Sequence, residues 1–151
     1  LSTSGAFVSK GLNAMQARIG TLIIWLVAAF YAYGAYVHVA NILGWNGFDW
    51  ATAPLKWQVL DIVYLILDLL VAIGLVLAWR TGYVAFFLAA VSQIILYTVF
   101  RAWIIDVPEA FARSPEEVQY LDGLVIFHIV TLCLVLFAIW LRRFGHTVSQ
   151  R

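Results

Sequence analysis

The sequence predicts an all-α, polytopic membrane protein. The expected architecture is an antiparallel, up-down-up-down bundle of four transmembrane helices with both termini inside. Three observations predict it. First, 64% of the 151 residues are hydrophobic and only 11% are charged, with a mean hydropathy of +0.94. Soluble domains are about half apolar and about a quarter charged, and a chain this small has no core that could hide the surplus. Second, four continuous apolar runs, at about 20–43, 57–79, 83–104 and 121–141, reach the roughly 20 residues that cross a hydrocarbon core. Third, charge segregates. Lys10, Arg18, Arg80, Arg142, Arg143 and Arg151 flank one side with no acid among them. Asp49, Asp106, Glu109, Glu116, Glu117 and Asp122 lie on the other, with only Lys56 and Arg113 as bases. The bias toward positive inner segments puts both termini in the cytoplasm. Residues 1–151 read as one membrane domain.

Residues 1–19 form a segment on the cytoplasmic face. Val8, Leu12, Met15 and Ile19 recur at helical spacing, which fits a short interfacial helix with Lys10 and Arg18 near lipid phosphates. A frayed tail is the alternative. No apolar core with a cleavage site precedes the first span, so the segment does not read as a signal peptide. Aromatics bracket the later spans: Trp57 and Trp79 the second, Tyr83 and Trp103 the third, Tyr120 and Trp140 the fourth. These side chains favour the headgroup level. "GWNGFDWATAP" at 44–54 is turn-rich and expected to fold back over the bundle end. "RTG" at 80–82 predicts a tight hairpin between the second and third helices. "DVPEAF" at 106–111 suggests one helical turn, and "SPEE" at 114–117 is a capping box with Pro at the first helical position. Cys133, the one cysteine, excludes an internal disulfide and reads as a small core residue.

The polar residues inside the spans are not scattered. Tyr31, Gly34, His38 and Asn41 share one face of the first helix. Asp61, Tyr64 and Asp68 share one face of the second, Gln93, Tyr97 and Arg101 one face of the third, and His128 and Thr131 one face of the fourth. At 1.5 Å per residue, His38, Asp61, Arg101 and His128 fall within roughly 5–11 Å of the outer boundary. Asp68, Gln93 and Tyr31 fall nearer the midplane. The pattern predicts a polar pocket open toward the outer leaflet and closed below by apolar packing, with the Trp45–Trp50 turn over its mouth.

Four readings fit this cluster. It can be structural glue, with Asp61 neutralising Arg101 and the two histidines bonding Tyr64 or Tyr97. It can be a binding pocket for an amphipathic small molecule, such as a quinone or a lipid headgroup. It can be a haem or metal site, with His38 and His128 as ligands and Asp61 the nearest carboxylate. It can be part of a proton path through Asp68, although the inner half offers almost no polar group to complete one. His146 lies beyond Arg142 and Arg143 and reads as solvated. No GxSxG, Walker loop, GxGxxG or HExxH occurs. Nothing in the sequence points to nucleic acid.

"YGAYVHVANILG" at the end of the first helix resembles the helix-end histidine segment of DoxX-like membrane proteins. "LDLLVAIGLVLAWRTGYVAFFLAAV" at 67–91 resembles their second helix, basic turn and third helix, so the resemblance covers about 20–105. It implies a small integral protein that accompanies redox systems; relatives include a subunit of a terminal quinol oxidase. It carries over no catalytic residue, only the correspondence of His38. The acidic third loop and Arg101 depart from that pattern. The expectation is therefore a non-catalytic subunit or accessory protein of a bacterial inner-membrane complex, respiratory or otherwise redox. It would sit among membrane lipids and other integral subunits. A quinone- or lipid-binding protein, or a haem-carrying subunit, is the alternative.

Overall fold

A computed structural model describes residues 3–147, and side chains from 11 to 143. The chain is helical, with no strand among the described residues. Five α-helices follow in order: α1 (Thr3–Ile42), α2 (Leu55–Val76), α3 (Arg80–Thr98), α4 (Arg101–Ile105) and α5 (Pro115–Thr147). A single 3₁₀ turn, Glu109–Phe111, precedes α5. Four of them, with Gly11–Ile42 standing for α1 and Pro115–Arg143 for α5, are long and apolar enough to cross a membrane. The chain is thus a multi-pass membrane protein by length and composition.

The main packing runs α1 on α2, α1 on α5, α2 on α3 and α3 on α5, so the four long helices close a ring. Lipid tails are as apolar as leucine, and association inside a bilayer depends on close approach of small residues. The interfaces follow that rule. Ala28, Ala35, Ala72, Ala85, Ala89, Ala90 and Ala138 are buried, while Leu22, Trp25, Leu69, Leu88 and Leu136 face outward. Gly74 and Gly82 meet backbone to backbone, and a Cβ on either would fall on the other's main chain. Ile24, Val27, Phe86, Val71, Leu75 and Val135 fill one end of the bundle. Trp57, Tyr64, Leu96, Ile104 and Leu121 form a second cluster at the other.

Three boundaries differ from the sequence reading. The first concerns the expected interfacial helix, which is no separate element, because α1 runs unbroken from Thr3 to Ile42. Gly20 is not a hinge but a contact: a Cβ there would sit 2.9 Å from the Ala138 carbonyl oxygen and 3.0 Å from Arg142 Cγ. The side chains of Val8 and Lys10 lie outside the described residues, as do those of His146 and Arg151. The second concerns α2, which stops at Val76. The turn uses Leu77 to Trp79, with Ala78 at φ 54°, and "RTG" is already the first turn of α3. The third is the break of the expected 83–104 helix at Val99 and Phe100, where the Phe100 amide reaches back five residues to the Ile95 carbonyl. No Pro or Gly marks this break.

Cys133 is exposed on the outer face of α5, not in the core. An apolar side chain facing hydrocarbon loses nothing by staying outside, so burial cannot be inferred from an apolar run in such a chain.

Candidate functional site

The helical faces read from the sequence converge at one end of the bundle. His38 comes from the last turn but one of α1, and its ring stacks on Tyr64 with centroids 6.3 Å apart. Its Nδ1–H donates to Asp61 Oδ1 at 2.7 Å, from α1 to α2. Asn41, one turn on, donates to the same oxygen at 3.1 Å. Asn46 in the turn after α1 donates to Asn41 Oδ1 at 2.6 Å. The second ring nitrogen of His38 lies 3.8 Å from Asp68 Oδ2. That carboxylate, 4% exposed, rests against Gly34, whose missing side chain makes the room. Asp68 Oδ1 is buried with no hydrogen-bond partner.

A second network lies deeper. His128 Nε2–H donates to Gln93 Oε1 at 2.9 Å, and the Tyr31 hydroxyl donates to His128 Nδ1 at 3.3 Å. Tyr97 also donates to Gln93 Oε1, at 3.4 Å. With the Gln93 amide oriented so that Oε1 faces the ring, that oxygen can only accept, and the assigned tautomer of His128 carries its proton on Nε2. Both nitrogens of His128 are thereby engaged. Tyr64 donates to Ser92 Oγ at 3.2 Å, and Ser92 to the Ala89 carbonyl at 3.1 Å.

Above the first network lies a cavity of about 530 Å³. His38, Asn41, Asp61, Tyr64 and Tyr97 form its polar wall. Trp57, Leu60, Leu96, Ile104, Leu121 and Leu124 form its apolar wall, and Asn46, Gly47, Phe48, Arg113, Glu117 and Tyr120 also line it. Two connections roof it. Phe48, from the α1–α2 turn, and Phe111, from the 3₁₀ turn, both pack on Trp57, at 6.3 and 6.2 Å. Trp57 Nε1 donates to the Ile104 carbonyl at 2.9 Å, and Lys56 donates to the carbonyls of Trp103 and Asp106. These bonds tie the start of α2 to α4. The capping box at the start of α5 is reciprocal: the Ser114 amide donates to Glu117 Oε2 at 2.8 Å and the Glu117 amide to Ser114 Oγ at 3.3 Å.

Of the nine residues singled out by the sequence, five line this cavity, and Asp68 lies just below it. Gln93 and His128 belong to the deeper network. Arg101 is the exception, and the expected Asp61–Arg101 pair does not form. Arg101 makes a two-pronged contact with Asp122 and donates to the Val118 carbonyl at 3.0 Å. Asp122 beside it holds its guanidinium above the ordinary value. The Gln93–Tyr97–Arg101 face assumed an unbroken helix, and the break at Val99 and Phe100 turns Arg101 toward α5. The histidines bond neither Tyr64 nor Tyr97: His38 takes Asp61, and His128 takes Gln93 and Tyr31.

The haem reading required His38 and His128 each to offer a free nitrogen to one iron. Both nitrogens of His128 are hydrogen-bonded, whereas the Nδ1–H of His38 given to Asp61 leaves its Nε2 without a hydrogen bond, the arrangement that ligating histidines use. Among the described residues no three His, Cys, Asp or Glu side chains form a set that could hold a metal ion. The sequence reading put the Trp45–Trp50 turn over the mouth without singling out Phe48 in it, and missed Trp57, Phe111 and Arg113 as residues that shape the cavity. The Trp and Phe spacing in 44–57 was a signal for Phe48 and Trp57; nothing in 106–114 singled out Phe111 or Arg113.

No known protein family, curated protein or solved structure matches the chain.

Proposed function

We propose that this chain is a small, non-catalytic member of a larger membrane assembly whose own contribution is to bind an amphipathic small molecule. Quinones and lipids are the classes such a pocket suits. The carrying observation is the cavity itself. Its volume falls in the range of about 300–1,000 Å³ used by small-molecule sites. One wall is a hydrogen-bonded His38–Asp61 pair with Asn41, the facing wall is aromatic and aliphatic, and Asn46, Arg113 and Glu117 stand around it. A head that forms hydrogen bonds would sit on the pair, and an apolar body would lie against Trp57, Leu121 and Leu124. The resemblance to DoxX-like proteins supports the redox setting and the assembly. The chain carries no catalytic motif to argue for a reaction of its own.

In this reading the bundle is antiparallel and up-down-up-down in the inner membrane of a bacterium, with both termini cytoplasmic. The segregation of Arg18, Arg80, Arg142 and Arg143 from the acidic connections supports that orientation. The cavity then opens toward the outer leaflet.

The test is an organic extract of protein purified from its own membranes, analysed by mass spectrometry. The expected result is a near-stoichiometric amphipathic molecule that is lost in Leu124→Trp, which fills the cavity and leaves His38 and Asp61 in place. Equal extracts from both proteins would reject the reading.

A further inference from the structure

The polar wall of the cavity is rich in acceptors: the donor it keeps is the amide N–H of Asn41 not given to Asp61, and Arg113 and Tyr120 line the cavity away from that wall. Asp61 Oδ1 already takes His38 and Asn41, and among the described residues no donor reaches Oδ2. Tyr64 and Tyr97 spend their hydroxyl protons on Ser92 and Gln93, so each keeps only lone pairs for a ligand. Trp57 N–H is spent on Ile104.

Two of the three cations at this end are committed elsewhere, and the third, Arg113, lines the cavity with the Glu117 carboxylate beside it as a counter-charge. Lys56 holds the carbonyls of Trp103 and Asp106. Arg101 holds Asp122. Arg113 lies over the Trp57 ring at 4.5 Å and beside Glu117 at 3.7 Å. Asp61 and Asp68, 8% and 4% exposed, are left with one imidazole between them and no ammonium or guanidinium. A carboxylate in an apolar setting needs donors or an opposite charge. Aromatic faces attract cations as well, and Phe48, Trp57, Tyr64, Tyr97 and Tyr120 all line the cavity.

Resting on the reading that this cavity binds a small amphipath, we propose that the head of its occupant is a protonated amine seated on Asp61. Among the amphipaths that fit the cavity by size, this narrows the head: at the Asp61 wall, phosphate, carboxylate and oxidised quinone heads are disfavoured, because they bring acceptors to acceptors. The amine has two sources, the headgroup of an aminophospholipid or a free amphipathic amine.

The experiment uses the whole protein in nanodiscs of phosphatidylcholine. Decylamine, decyl phosphate and a decyl-substituted benzoquinone are titrated by calorimetry, with the Leu124→Trp protein as the background for partition into lipid. The expected result is saturable decylamine binding at least about tenfold tighter than either other probe. Asp61→Asn, which keeps the shape of the pair, should weaken the amine by a similar factor. Saturable binding of the phosphate or the quinone with equal or higher affinity overturns the amine and leaves the cavity reading standing. An amine preference unchanged in Asp61→Asn overturns the seat on Asp61. No saturable binding of any probe above the Leu124→Trp background overturns both. The comparison of the three heads on the unmodified protein decides the matter even if Asp61→Asn does not fold. Discs of phosphatidylethanolamine separate the sources. Weaker apparent decylamine binding there identifies the lipid amine, and unchanged binding identifies a free one.

Discussion

Gly34 and Asp68 show how one missing side chain can support a buried charge-bearing group. A methyl at position 34 would fall on Asp68 Oδ2. Gly34→Ala is expected to cost about 1–3 kcal/mol through overpacking, read as a lowered Tm in detergent. Removing the carboxylate as well, in Gly34→Ala/Asp68→Ala, should recover much of that loss, because the two positions are coupled by contact. Arg101→Ala makes the opposite case. Its partner Asp122 is solvent-facing, and exposed ion pairs contribute little. That variant should melt with the unmodified protein and keep its bound ligand. The sequence revealed His38, Asn41 and Asp61 because polar groups in an apolar helix stand out and share a period. It did not reveal who pairs with whom. Asp61 had Arg101 and His38 within reach on depth alone, and only the three-dimensional arrangement chooses.

At the level of elements, the long helices were legible from apolar length, and the capping box at Ser114 marked the start of α5 to the residue. The break between α3 and α4 was not legible, since Thr98, Val99 and Phe100 carry no Pro or Gly signal. Its effect is large: it detaches Arg101 from the face of Gln93 and Tyr97 and brings Ile104 and Ile105 to the cavity. The α2–α3 contact rests on Gly74 and Gly82, where main chain meets main chain and cannot yield as a flexible side chain would. Gly82→Ala should separate the two helices locally. The expected outcome is a lower yield of monodisperse protein on size exclusion, with Thr81→Ala, one residue away and exposed, as the neutral control.

For the molecule as a whole, composition pointed to a membrane before any element was placed, and charge segregation supports a proposed orientation that helix packing does not report. A cysteine at Glu109 should react with an impermeant maleimide added outside intact cells, whereas one at Thr81 should not. Both belong in a Cys133→Ser background, because Cys133 faces outward. Membership of a larger assembly predicts that a mild-detergent particle migrates well above the 17.0 kDa of the chain. Mass at that value alone would remove the subunit reading. The roof of the cavity has a further consequence, which concerns time. Its two connections, 44–54 and 106–114, hold each other through Phe48 and Phe111 on Trp57 and through few main-chain bonds, whereas the walls are continuous hydrogen-bonded helices. Local opening follows the stability of each region. Amide deuteration should therefore proceed in two phases, with the roof exchanging well before α1 and α2. Entry and escape of a small guest would then follow the clock of two short loops, while the bundle beneath stays shut.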